Sequence, residues 1–92
     1  MRWPGRGRTR PVEVTLVTRQ GCTQGAEVMP LVRRLAVEAD VPLRVLDVDA
    51  APEIAPVDRR RWSDRVPVVL LDGVEHAAWT ISETRLRRAL AG

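Results

Sequence analysis

The sequence predicts one α/β domain: a four-stranded mixed sheet with helices on both faces, in the order β-α-β-α-β-β-α. Three observations carry this expectation. Four short stretches are apolar, alternating or continuous, as half-buried and buried strands require. Between the first two stretches the period changes to that of an amphipathic helix. Asp72-Gly73 then separates the last two stretches, and that dipeptide favours the tight turn of an antiparallel hairpin. A chain of 92 residues has room for one domain and a small core.

The elements follow in order. Residues 12–18 read as a buried strand, with Val12, Val14, Leu16 and Thr18 on one face and Val17 filling out its apolar end. Gln20-Gly21 turns the chain. From Thr23 or Gln24 to about Ala39, residues Val28, Leu31, Val32, Leu35, Ala36 and Ala39 recur at helical spacing. Pro30 lies inside that helix, where it lacks an N–H and crowds the carbonyl of Ala26, so a kink is expected. Val41-Pro42 ends the helix, and residues 43–48 form a second strand. Residues 50–62 read as a short, bent helix ending at Trp62, because Pro52 and Pro56 cannot both sit in one regular helix. Residues 66–71 form the third strand, and Val74 to about Ala78 returns as the fourth. A last helix runs from about Ser82 to Ala91, capped by Thr80 with Glu83 or by Ser82 itself. Both crossovers are expected to be right-handed and to leave parallel neighbours.

Composition narrows the function. All 15 basic residues are Arg, and Phe and Tyr are absent. Arg2, Arg6, Arg8 and Arg10 crowd the first ten residues; without them 11 Arg face 12 acids, a net charge of −1. The basic pI of the chain thus belongs to residues 1–10, read as a disordered tail ahead of a domain at 11–92. A nucleic-acid-binding domain would carry its basic face on the fold, so nucleic acid is not the expected partner. No apolar run is long enough for a membrane span, and the basic start lacks the apolar segment of a secretory signal. A single cysteine rules out an internal disulfide and suits a reducing, cytoplasmic setting. His76, the one histidine, is expected to face solvent and makes no zinc site with one cysteine. Asp47 and Asp49 read as caps rather than metal ligands. Trp62 and Trp79 are expected in the core, since a chain without phenylalanine needs their area. Arg59-Arg60-Arg61 reads as a solvated helix face.

The strand order, a cysteine at the end of the first strand and a strand opening on Val-Pro together resemble the thioredoxin fold, and within it the small glutaredoxin-like proteins. The resemblance rests on TRQGC at 18–22, on Pro30 eight residues after Cys22, and on RVPVVLLDG at 65–73. It covers residues 12–91. It implies that Cys22 is the nucleophilic cysteine and that Pro67 follows a cis peptide bond. It also implies that the backbone of Val66 pairs with an extended disulfide substrate. Thr23 and Arg19, close to Cys22 in the sequence, are candidates for further contacts with substrate or thiol. A cysteine at a helix start meets unpaired N–H groups and the positive end of the helix dipole, which favour thiolate over thiol.

Gly25 departs from the family pattern. A dithiol Cys-x-x-Cys site needs its resolving cysteine there, and CTQG has none. The open question is whether the missing side chain is drift or makes space for a bulkier thiol. The resemblance then implies a monothiol thiol–disulfide oxidoreductase. A mixed disulfide on Cys22 is released by a low-molecular-weight thiol such as glutathione or mycothiol, or forms with a protein disulfide. CTQG is not the CGFS of monothiol glutaredoxins, and the Gly-Gly pair after the fourth strand is missing; these departures weigh against a glutathione site of the family's kind, and more so against iron–sulfur binding, while glutathione and mycothiol both stay open as co-substrate. No cofactor or metal is expected. The alternative is a catalytically inactive binding or regulatory module with a vestigial cysteine. The chain is expected as a monomer, although a single exposed thiol also allows a disulfide-linked dimer.

Overall fold

A computed structural model describes residues 10–92 of the chain. Its elements are β1 (Val14–Thr18), α1 (Thr23–Glu38), β2 (Leu43–Asp47), α2 (Pro56–Trp62), β3 (Val68–Leu71), β4 (Val74–Ala78) and α3 (Glu83–Ala91), in the expected β-α-β-α-β-β-α order. One sheet holds the strands in the order β2-β1-β3-β4.

Strand alternation divides the core in two. Val14 and Leu16 of β1 and Val69 of β3 meet Val32, Leu35 and Ala36 of α1 and Leu86 and Leu90 of α3 on one face. Val17, Val68 and Leu70 meet Leu46, Val48, Ile54 and Trp62 on the other, under α2. Each such side chain removed from water contributes about 1.5–3 kcal/mol. Helices on both faces and a buried Trp62 follow the sequence expectation. Val12 does not: it lies ahead of β1 and is exposed, with its N–H on the Asp72 carboxylate.

Three local readings resolve. α1 continues through Pro30 from Thr23 to Glu38. Pro56 is the first residue of α2, where a missing N–H costs nothing, so the two prolines are never in one helix. Ser82, not Thr80, caps α3: its hydroxyl accepts from the Arg85 N–H at 3.2 Å. Asp72 and Gly73 both have positive φ, as a tight hairpin turn needs.

The second crossover departs from expectation. β2 is parallel to β1, but β3 lies on the other side of β1 and antiparallel to it, so β2 and β3 are not neighbours. β3 is apolar throughout, and its place beside β1 inside the sheet buries Val68, Val69 and Leu70 on both faces. β3 enters where β2 leaves, with Val68 opposite Val17. This puts the end of β1, the start of β3 and the end of β4 at one edge of the sheet.

The expected disordered tail falls mostly outside the described residues, as does Trp3. Arg10, its last member, is described, and its guanidinium donates to the Ala39 carbonyl at 2.8 Å. Among the described residues no helix is long and apolar enough to cross a membrane.

Candidate functional site

The site forms where β1 gives way to α1. A turn closes from the Cys22 N–H to the Arg19 carbonyl at 3.0 Å, and Gly21 takes φ +82°, a conformation that glycine adopts without steric cost. Cys22 is the N-cap of α1, with φ −77° and ψ 110°. Its carbonyl accepts from Ala26 at 3.0 Å, and its sulfur accepts from the Gly25 N–H at 3.2 Å. The first turn of α1 holds no carboxylate, so the positive end of the helix is left to the sulfur. The thiol is partly exposed and unpaired.

The Val66-Pro67 peptide bond is cis, as expected. Val66 and Cys22 share the apolar cluster under α2, and both line one open cleft of about 380 Å³. Pro67 is fully buried, and Val66, itself 5% exposed, lines the cleft. The Val66 N–H and carbonyl make no hydrogen bond among the described residues. Gln20, Gly21, Ser63 and Asp64 complete the walls together with Arg19 and Trp79. Thr23 is exposed on α1 and does not line this cleft.

Arg19 is engaged. Its guanidinium makes a two-point contact with Asp49, Nε to Oδ2 at 2.6 Å and Nη2 to Oδ1 at 3.1 Å. It also donates to the Ser63 carbonyl at 3.0 Å and hydroxyl at 2.8 Å. The pairing holds the Asp49 carboxyl below its ordinary range, through the hydrogen bond first. Arg19 thus ties β1 to the end of β2 and the end of α2. Arg59 likewise turns out to be a tie rather than a solvated charge: it donates to the carbonyls of Val48, Ala51 and Ile54.

Gly25 is buried, and the space beside it is occupied. A Cβ there would fall well inside contact distance of Thr18 Oγ1, 3.1 Å from Thr18 Cβ and 3.4 Å from Cys22 Sγ. No room is opened for a bulkier thiol; the Thr18 side chain holds the volume a resolving cysteine would need. The Thr18 hydroxyl is buried and makes no hydrogen bond.

Trp79 corrects a sequence expectation. It is not in the core: 57% of it is exposed, on the rim of the cleft. Its backbone has φ +67°, rare for so bulky a residue and costing about 1–3 kcal/mol. Two hydrogen bonds hold it, from the Trp79 N–H to the Pro67 carbonyl at 2.7 Å and from Gln24 Nε2 to the Trp79 carbonyl at 2.6 Å. Pro67 follows the cis bond after Val66, and Gln24 lies two residues past Cys22. A tryptophan just past a strand, in a chain with only three aromatics, was the one available signal. His76 is half-buried rather than solvent-facing. Among the described residues no three His, Cys, Asp or Glu side chains cluster as metal ligands would.

A cysteine capping the first helix, beside a residue that precedes a cis-proline on a four-stranded mixed sheet, defines the thioredoxin class of α/β proteins. Thioredoxin 1 from Thermosipho africanus TCF52B shares this fold: its TM-score is 0.58 over 83% of this chain and 91% of that one, at 17% identity. Within the class the chain belongs to the Glutaredoxin-like domain family (DUF836), whose pattern matches residues 13–91. It is 40% identical over 84 residues to "Uncharacterized protein Rv0508" of Mycobacterium tuberculosis (strain ATCC 25618 / H37Rv), spanning 90% of this chain and 86% of that protein. The same identity and coverage hold for "Uncharacterized protein Mb0520" of Mycobacterium bovis.

Proposed function

We propose that the protein is a glutaredoxin-like thiol–disulfide oxidoreductase working through Cys22 alone, as a monomer in a reducing cytoplasm. The observation that supports this most is the placing of the Cys22 sulfur, partly exposed at the start of α1, in one cleft with the unpaired backbone of Val66. The Cys22 thiolate attacks one sulfur of a low-molecular-weight or protein disulfide. A Cys22–substrate disulfide forms, the old S–S bond breaks, and the other half leaves as a thiolate. The substrate disulfide supplies the oxidising equivalents. A second thiol then attacks the mixed disulfide, releasing Cys22 as thiolate and a new disulfide. Val66 offers an N–H and a carbonyl to an extended substrate, as a sheet edge does. No metal or cofactor takes part.

The second thiol must come from outside, because no cysteine stands at Gly25 and Thr18 fills that volume. The test is intact-mass spectrometry after exposure to 2-hydroxyethyl disulfide. One added half-disulfide is expected, lost again on addition of a thiol and absent in Cys22→Ser. Failure of the folded protein to form any adduct would leave the alternative, a binding module with a vestigial cysteine.

A further inference from the structure

We propose that Trp79 is the substrate-selecting wall of this cleft, and that the disulfide it accepts carries an uncharged or cationic group beside its sulfur rather than carboxylates. The proposal rests on Cys22 being an exchange thiol.

Two independent features lead here. The first is the placing of Trp79. A large apolar side chain is left mostly in water on the rim of the Cys22 cleft, on a backbone conformation that bulky residues avoid. Hydrogen bonds to Gln24, two residues past Cys22, and to Pro67 hold it there. A flat indole at such a rim gains by covering the carbon skeleton of a ligand, and its face attracts cations. The second is the charge of the walls. Among the described residues Arg19 is the one cation lining the cleft, and Asp49 and Ser63 take its donors. Asp64 also lines the cleft, exposed, and makes no ion pair or hydrogen bond among the described residues. A carboxylate-bearing disulfide would find the Arg19 donors engaged and the Asp64 carboxylate nearby. An ammonium-bearing one would find an indole face and a carboxylate.

The experiment measures mixed-disulfide formation on Cys22 with cystamine, 2-hydroxyethyl disulfide and oxidised glutathione. Each rate is divided by that of 2-mercaptoethanol, a thiol with no other charged group, with the same disulfide, which removes intrinsic reactivity. The expected order is cystamine, then 2-hydroxyethyl disulfide, then oxidised glutathione. Added salt should narrow the gap between the charged pair. Trp79→Asn, a residue that tolerates the left-handed backbone, should lower the cystamine rate about fivefold relative to iodoacetamide alkylation of the same variant, and Trp79→Phe should restore most of it. Asp64→Asn should weaken the cystamine preference alone. Equal normalised rates for the three disulfides, or an unchanged profile in Trp79→Asn, would overturn the selection while leaving exchange at Cys22 intact. No adduct with any of the three, in protein that iodoacetamide still alkylates, would overturn both.

Discussion

α1 and α3 begin in the same way and serve different ends. In each, the residue before the helix is extended, and its side chain accepts from the N–H three residues on at 3.2 Å. In α3 the acceptor is the Ser82 hydroxyl, and Glu83 in the first turn adds a carboxylate at the positive end of the helix. That is a start built for stability. In α1 the acceptor is sulfur, a weaker partner than oxygen, and the first turn carries no carboxylate. The Gly25 N–H that serves the sulfur belongs to a residue whose Cβ, if it had one, would run into the Thr18 side chain. Part of the stability available at this helix start has been given up, and what remains is an accessible sulfur with a donor aimed at it.

The largest test of this contrast is a side chain at Gly25. Gly25→Ala would raise helix propensity in open space. Here it drives a methyl into Thr18, and overpacking of this kind costs about 1–3 kcal/mol. Gly25→Ala is therefore expected to lower the urea midpoint, and the added change Thr18→Ala to recover much of it, a coupling that a double-mutant cycle reads directly. The same contact governs restoration of a dithiol site. Gly25→Cys alone should give little internal disulfide with Cys22, whereas Gly25→Cys combined with Thr18→Ala should give it in good yield. Equal disulfide yield in the two would show that Thr18 gives way easily.

That contact also marks how far the sequence can be read. The elements are legible because their periods are local: helical spacing from Val28 to Ala39, alternation along β1, the Asp72-Gly73 turn. The cysteine at the helix start and the cis bond before Pro67 are legible through the resemblance carried by TRQGC and RVPVV. What stays hidden depends on residues far apart in the chain meeting in space. Arg19 finds Asp49 thirty residues on and Ser63 forty-four residues on, so a residue expected as a substrate contact has its donors engaged. The size of Trp79 argues for the core, but it follows the last residue of an edge strand and its backbone is pinned outward by Pro67 and Gln24. The place and direction of β3 rest on its pairing with β1, between residues far apart in the chain, which no local pattern shows.

Smaller effects are expected at the caps themselves. Ser82→Ala removes an oxygen that serves the Arg85 N–H, and such losses cost about 1 kcal/mol. Cys22→Ser should act in the other direction. It replaces a weak acceptor by a preferred capping residue, so the variant should be as stable as the parent or more so, by a few tenths of a kcal/mol up to about 1. Thermal unfolding of the two variants beside the parent checks both signs. A clear loss of stability in Cys22→Ser would mean that the sulfur is held mainly for its apolar packing against the cluster around Val66 and Trp62.

The smallest effect links α3 to pH. His76 lies on β4, and burial first, then the charge of Arg85 in the first turn of α3, lower its pKa from the ordinary 6.5. The folded protein therefore takes up this proton less readily than the unfolded chain. Well above 6.5 the imidazole is neutral in both states and contributes no pH dependence. As pH falls through that value the unfolded chain protonates first, and stability declines until the folded form protonates too. Urea midpoints between about pH 8 and about pH 5 should thus fall with pH in the parent. His76→Gln should flatten that slope, and Arg85→Ala should remove only the lesser part of it, since burial is the larger cause. A parent slope retained in full by His76→Gln would move the titration to another group. It would also leave the start of α3 with no tie to the histidine, as insensitive to pH in this range as a cap made of hydroxyl and backbone alone.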